Sequence, residues 1–186
     1  MPLLERDAQL DVLHAEEGSA RAGHGRVVVV SGEAGGGKSA LVRAAFPSAV
    51  RGYCEPLATP RPLGPFRDLA GRLFPDRALP PDPIAVGDLL LSAMATPGPA
   101  LVIEDAHWID SASCDVVRFL GRRIGETCGL LVVVVRSGAA AGGAISAVLG
   151  DLASADVLTR CVVEPLSRDA VARLVDGTDE LSLIHI

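Results

Sequence analysis

Apolar positions follow two periods along this chain. Val27 to Val30, Ala100 to Ile103 and Leu130 to Val135 are unbroken aliphatic runs. A run apolar at every position fits a strand covered on both faces, as in a parallel sheet. Val50 to Cys54 and Leu158 to Glu164 are shorter strand candidates, giving five in all. Between them the period lengthens. Glu5 to Ala22 sets Leu10 and Leu13 on one helical face with charges opposite, and Gly23-His-Gly25 ends it. Ala40 to Phe46 is a second predicted helix, stopped by Pro47. Leu63 to Phe74, Ile84 to Ala95, Ala112 to Ile124 and Ala144 to Leu152 follow, and Asp110 or Ser111 caps the third of these. Ser167 caps a last helix through Val175, with Asp169 in its first turn. Strands alternating with helices predict an α/β fold of three layers around a parallel five-stranded sheet.

Composition narrows the setting. With 186 residues, 49% of them hydrophobic, the chain suits one domain and excludes disorder. Aromatics make up only 3%, so the core must be aliphatic. The net charge of −6 carries no basic surplus, so this chain is expected to bind no nucleic acid directly. No apolar run approaches the ~20 residues of a membrane span, and no leader pattern opens the chain. The expected location is cytoplasmic, with no membrane partner. Cys54, Cys114, Cys128 and Cys161 form no CxxC pair and are expected to be buried free thiols in a reducing compartment. Eight of the 13 prolines fall between Pro56 and Pro83, which predicts a long interrupted connection.

One residue changes the picture. The 17 basic residues are 16 Arg and a single Lys, Lys38. It lies in Gly32-Glu-Ala-Gly-Gly-Gly-Lys-Ser39, which satisfies the phosphate-loop pattern G-x-x-x-x-G-K-[ST]. The chain's composition gives ~10⁻³ chance matches to that pattern. The context agrees: a β-branched run precedes it and a helix follows. Gly32, Glu33, Ala34, Gly35, Gly36, Gly37, Lys38, Ser39 and Ala40 are therefore the candidate nucleotide-binding set. The glycines let backbone N–H groups turn toward phosphate oxygens, and the helix start adds positive dipole. Lys38 would reach the β- and γ-phosphates, and the Ser39 hydroxyl would ligate Mg²⁺. Three consecutive glycines, with Gly36 where a larger residue would pin the loop, predict weakened affinity.

The run from Ala100 ends in Glu104-Asp105. In an open α/β sheet, carboxylates at the carboxyl end of a strand face the ligand crevice. One would hold Mg²⁺ and the other would orient an attacking water, so both are candidate metal and catalytic residues. Asp105 is expected to be essential, with Glu104 sharing metal or base duty. His107 is expected to be structural and Trp108 to pack. Arg136 stands at the end of the Leu130 run, where a cation can sense a γ-phosphate.

Five segments carry a resemblance: Leu4–Leu10, Ser31–Ser39, Pro60–Leu69, Val102-Ile-Glu-Asp-Ala-His-Trp108 and Val162–Ser167. Across residues 3–178 the chain resembles the ATPase module of large LuxR-type bacterial transcriptional regulators. These belong to the STAND class of AAA+-related P-loop NTPases. It is also similar to modules joined to adenylate cyclases and Ser/Thr kinases. The resemblance implies a sheet order of 5-1-4-3-2 and ATP rather than GTP as nucleotide. It places Arg136 at the sensor arginine after the fourth strand. It places Arg6 near the adenine, in a short Gly-Arg motif whose glycine is here Glu5.

The resemblance also implies a lid, sensor domains and a DNA-binding helix-turn-helix beyond this core. The expected core is residues 1–178, and the apolar end at 179–186 is expected to be a truncated or non-native tail. The function expected is Mg²⁺-dependent ATP hydrolysis, used as a nucleotide switch in a signalling or transcription regulator that self-associates when full-length. Turnover is expected to need the lid. Two rivals stay open: a nucleotide-binding interaction module without turnover, and a small-molecule kinase.

Overall fold

Each predicted strand forms, and the computed structural model describes residues 3–137, 144–153 and 156–173 of the chain. The strands are β1 (Arg26–Gly32), β2 (Val50–Tyr53), β3 (Leu101–Glu104), β4 (Leu130–Arg136) and β5 (Leu158–Val163). They pair in the order β2-β3-β4-β1-β5, all parallel, which is the expected order read from the other edge. Sequence position does not predict this order. Parallel pairing with right-handed crossovers allows helices on both faces, and the chain uses both.

The helices are α1 (Asp7–Arg21), α2 (Lys38–Ala45), α3 (Gly64–Leu73), α4 (Pro83–Ala93), α5 (Ser111–Gly121) and α6 (Ala144–Asp151), and residues 168–173 are also helical. Alternating strand residues split the core in two. Val28, Val30, Val102, Val132 and Val134 pack under α1 and α2, against Leu13, Leu41 and Val42. Val27, Val29, Ile103, Leu131 and Val133 face the other way, onto Phe66, Leu90, Val117 and Leu149 of α3, α4, α5 and α6. The core is aliphatic as expected, with Phe46 and Phe66 the buried aromatics among the described residues.

Several ends move by one to three residues. The helix expected to reach Ile124 stops at Gly121, and Ile124–Glu126 form a separate short 3₁₀ turn. A side chain at Gly121 would meet the Leu152 side chain at 2.4 Å, so Leu152, just after α6, packs against the bare backbone at the end of α5. The Asp82 side chain caps α4 by accepting from the Ala85 N–H at 2.8 Å, with Pro83 at the first helical position. Asp110 is the cap of α5: it accepts from the Ser113 N–H at 3.0 Å and also from the Leu63 N–H at 3.1 Å. One carboxylate thus fixes α5 and the entry to α3. Ser167 caps the final helix through the Ala170 N–H at 3.1 Å. The expected continuation to Val175 and the tail at 179–186 lie outside the described residues.

Candidate nucleotide site at the carboxyl edge of the sheet

The candidate residues arrive on three neighbouring strands. The glycine loop leaves β1, Glu104 ends β3, and Arg136 ends β4 as the register partner of Gly32. Gly32 cannot carry a side chain, since a Cβ there would lie 2.5 Å from the Val163 carbonyl oxygen. Gly35 and Gly37 have φ of 74° and 86°, values that turn the loop back over the helix start. No side chain caps α2, so its first backbone N–H groups stay open toward the loop. That is the arrangement that receives an anion.

Lys38 is buried, and its Nζ donates to the carbonyl oxygens of Gly32 at 3.0 Å and Glu33 at 2.7 Å. Burial lowers the pKa of this amine and Arg136 adds to the effect, while Asp105 and Glu104 oppose it. The Ser39 hydroxyl donates to Glu104 Oε2 at 2.8 Å. Glu104 is 2% exposed and takes a second bond on Oε1, from Arg51 at 3.2 Å. A hydroxyl beside a carboxylate is a hard-oxygen pair that suits Mg²⁺, whose other ligands are normally phosphates and water. Among the described residues no cluster of three His, Cys, Asp or Glu could hold a metal by protein alone.

Asp105 is placed differently. It leaves the strand at φ 53°, in the left-handed region, and is exposed. Among the described residues no side-chain hydrogen bond holds its carboxylate, and it does not join Ser39 as Glu104 does. A non-glycine residue held at positive φ is a local strain. His107 follows on the short 3₁₀ turn with both ring nitrogens buried and without partners in the described structure. Burial lowers its pKa, Asp105 opposes, and Arg136 and Lys38 add to the lowering. Trp108 departs from the packing expectation: it is 45% exposed and only tilts against His107 at a ring distance of 5.2 Å.

A cavity of about 490 Å³ opens beside the loop. Its walls are Glu33 to Gly37 and Ala40 on one side, and Leu3, Leu4, Pro165, Leu166 and Val171 on the other. The size and apolar lining suit a nucleoside. Arg6, 4% exposed, also lines it and donates from Nη2 to Glu164 O at 2.8 Å and Gly36 O at 3.2 Å. Glu5 sits at φ 55°, in the left-handed region. Its carboxylate accepts from the Ser167 hydroxyl at 2.5 Å and the Ser167 N–H at 2.9 Å. The N-terminal segment therefore ties the phosphate loop to the segment after β5. Arg51 and the Glu5–Ser167 contact were not foreseen. No local pattern marks them, because their partners lie 53 and 162 residues away.

Strand order, glycine loop, uncapped helix and adjoining acidic strand define a P-loop nucleoside-triphosphatase fold. The chain belongs to the AAA ATPase domain family, whose profile matches residues 2–134. A solved structure similar to it is the Signal Transduction ATPase with Numerous Domains (STAND) protein with a tetratricopeptide repeat sensor from Pyrococcus horikoshii, at 19% identity and a TM-score of 0.61. The match covers 96% of this chain and 26% of that one, so this chain spans about a quarter of that protein's length. The DnaC helicase loader also matches, at 12% identity and a TM-score of 0.49, over 87% of this chain and 92% of that one. At such identities the likeness is one of fold. No curated protein matches the chain in sequence. The chain is thus an AAA-type ATPase domain with a P-loop fold, and among the described residues no helix is long and apolar enough to cross a membrane.

Proposed function

We propose that the chain binds ATP with Mg²⁺ and hydrolyses it as the nucleotide switch of a larger signalling regulator, of the LuxR-type transcriptional class. The observation that carries this is the Ser39–Glu104 bond of 2.8 Å beneath an uncapped helix start, beside a cavity of nucleoside size. Gly32 to Ala40 would cradle the phosphates, with the Lys38 amine leaving its two carbonyls for phosphate oxygens. Ser39 and Glu104 would hold Mg²⁺, which supplies charge neutralisation at the phosphates. Asp105, the exposed acid, would orient the attacking water, and Arg136 would respond to the terminal phosphate. Leu3, Leu4 and Leu166 would flank the base. The working core is residues 1–178, acting in the cytoplasm, and nucleotide state would govern self-association of the full-length protein.

The Asp105 carboxylate, which no described side chain holds, favours a second reading: nucleotide binding without turnover by this chain alone. Calorimetry with Mg²⁺ and ATP on the chain and on Lys38→Ala tests the first reading. Binding that the substitution abolishes supports it, and equal binding by both proteins overturns it. ADP release in the same samples separates a switch that turns over from one that only binds.

A further inference from the structure

The nucleotide role leaves Arg51 without a task. It stands on β2 opposite Val102, and its side chain shares the α2 face of the sheet with Glu104, two residues further along β3. It is 8% exposed, a costly place for a guanidinium. Every contact it makes is directed. Nη1 donates to Glu104 Oε1 at 3.2 Å, and Nη2 donates to the Phe46 carbonyl at 3.0 Å and the Val42 carbonyl at 3.5 Å. Those carbonyls lie at the end of α2, Val42 in its last turn and Phe46 at its C-cap. The other oxygen of Glu104 accepts from Ser39, in the first turn of the same helix. One carboxylate therefore gathers both ends of the phosphate-loop helix, and Arg51 is the strut between them. A lysine could not span carboxylate and carbonyls together, whereas the guanidinium fork can. For stability alone, a well-packed apolar pair serves a core as well as a buried ion pair does.

We propose that Arg51 is a positioning residue for the Mg²⁺ site, holding Glu104 by Oε1 so that Oε2 stays on the Ser39 side. This rests on the nucleotide reading above. Groups that orient a metal-ligating carboxylate are worth about 10- to 100-fold in metal affinity.

The test titrates Mg²⁺ against ATP binding by calorimetry on the 186-residue chain, with Arg51→Met and Arg51→Lys beside wild type. ATP affinity is also measured in EDTA, and melting is followed for all three. Arg51→Met should raise the Mg²⁺ concentration for half-maximal effect about tenfold or more, with affinity in EDTA within about twofold of wild type. Arg51→Lys should fall between the two. A strut with no metal role would weaken binding equally with and without Mg²⁺, and that result overturns the proposal. If Arg51→Met fails to fold, Arg51→Lys decides: an unchanged Mg²⁺ midpoint overturns it. A wild-type chain that binds no ATP overturns the nucleotide reading itself, and the role of Arg51 falls with it. Mg²⁺-dependent binding in wild type with unmoved midpoints in both variants overturns only the role of Arg51.

Discussion

Lys38 is the chain's single lysine, and its neighbours explain why an arginine would not serve. The amine fits under the loop between two carbonyls, a compact point charge on a flexible stem. Lys38→Ala should weaken ATP affinity about 100-fold or more, the ~3 kcal/mol of a charge-assisted contact, as calorimetry would read. Glu5 offers a pH test at the same scale. The Ser167 hydroxyl, then its N–H, hold the Glu5 carboxyl below its ordinary value of 4.5. The folded chain then releases this proton more readily than the unfolded one, so the contact stabilises above the ordinary carboxylate range and fades as pH falls through the lowered value. Glu5→Gln should melt below wild type near neutral pH, and the gap should narrow as pH falls from the ordinary carboxylate range through the lowered value. The thiols are a third case. Burial pushes Cys54 up beyond reach and Cys114 to about 11, and it raises Cys161 as well. Native alkylation near pH 8, read by mass spectrometry, should label the half-buried Cys128 first and the other three only on unfolding.

At the scale of elements, the site depends on how closely backbones approach. A Cβ at Gly52 would sit 2.1 Å from the Pro65 carbonyl, where β2 meets the start of α3. Gly52→Ala should cost about 1–3 kcal/mol, seen as a lower urea midpoint. Because Arg51 precedes Gly52, the same change should also disturb the Glu104 strut. Gly52 carries no turn signature in sequence. Its need is set by a helix start that lies 13 residues on, across the mouth of a proline-rich connection.

For the molecule as a whole, nucleotide bound between loop and sheet edge should report as stability. ATP at 100 times its Kd should add ~2.7 kcal/mol, or roughly 5–10 °C in melting temperature for a domain of this size. The N-terminal segment takes part in that coupling. Arg6 joins Gly36 of the loop to Glu164, and Glu5 joins Ser167, so hydrogen bonds tie loop, β5 exit and chain start together.

The five strands, the helices between them and the phosphate loop were legible in the sequence, because their signals are local. Valine runs demand burial on both faces, and a glycine loop with Lys38 and Ser39 admits few uses. Glu104 and Asp105 were equally legible as a pair but not as individuals. Which carboxylate lies beside Ser39 follows from strand parity and from a φ of 53° at Asp105. The exposure of Trp108, the Arg51 strut and the Glu5–Ser167 clasp were invisible for a related reason. Sequence by itself determined the elements and the chemistry they carry, since period and motif act over a few residues. Only the tertiary structure decided which charges meet, because those pairings cross up to 162 positions and depend on the order in which parallel strands lie side by side.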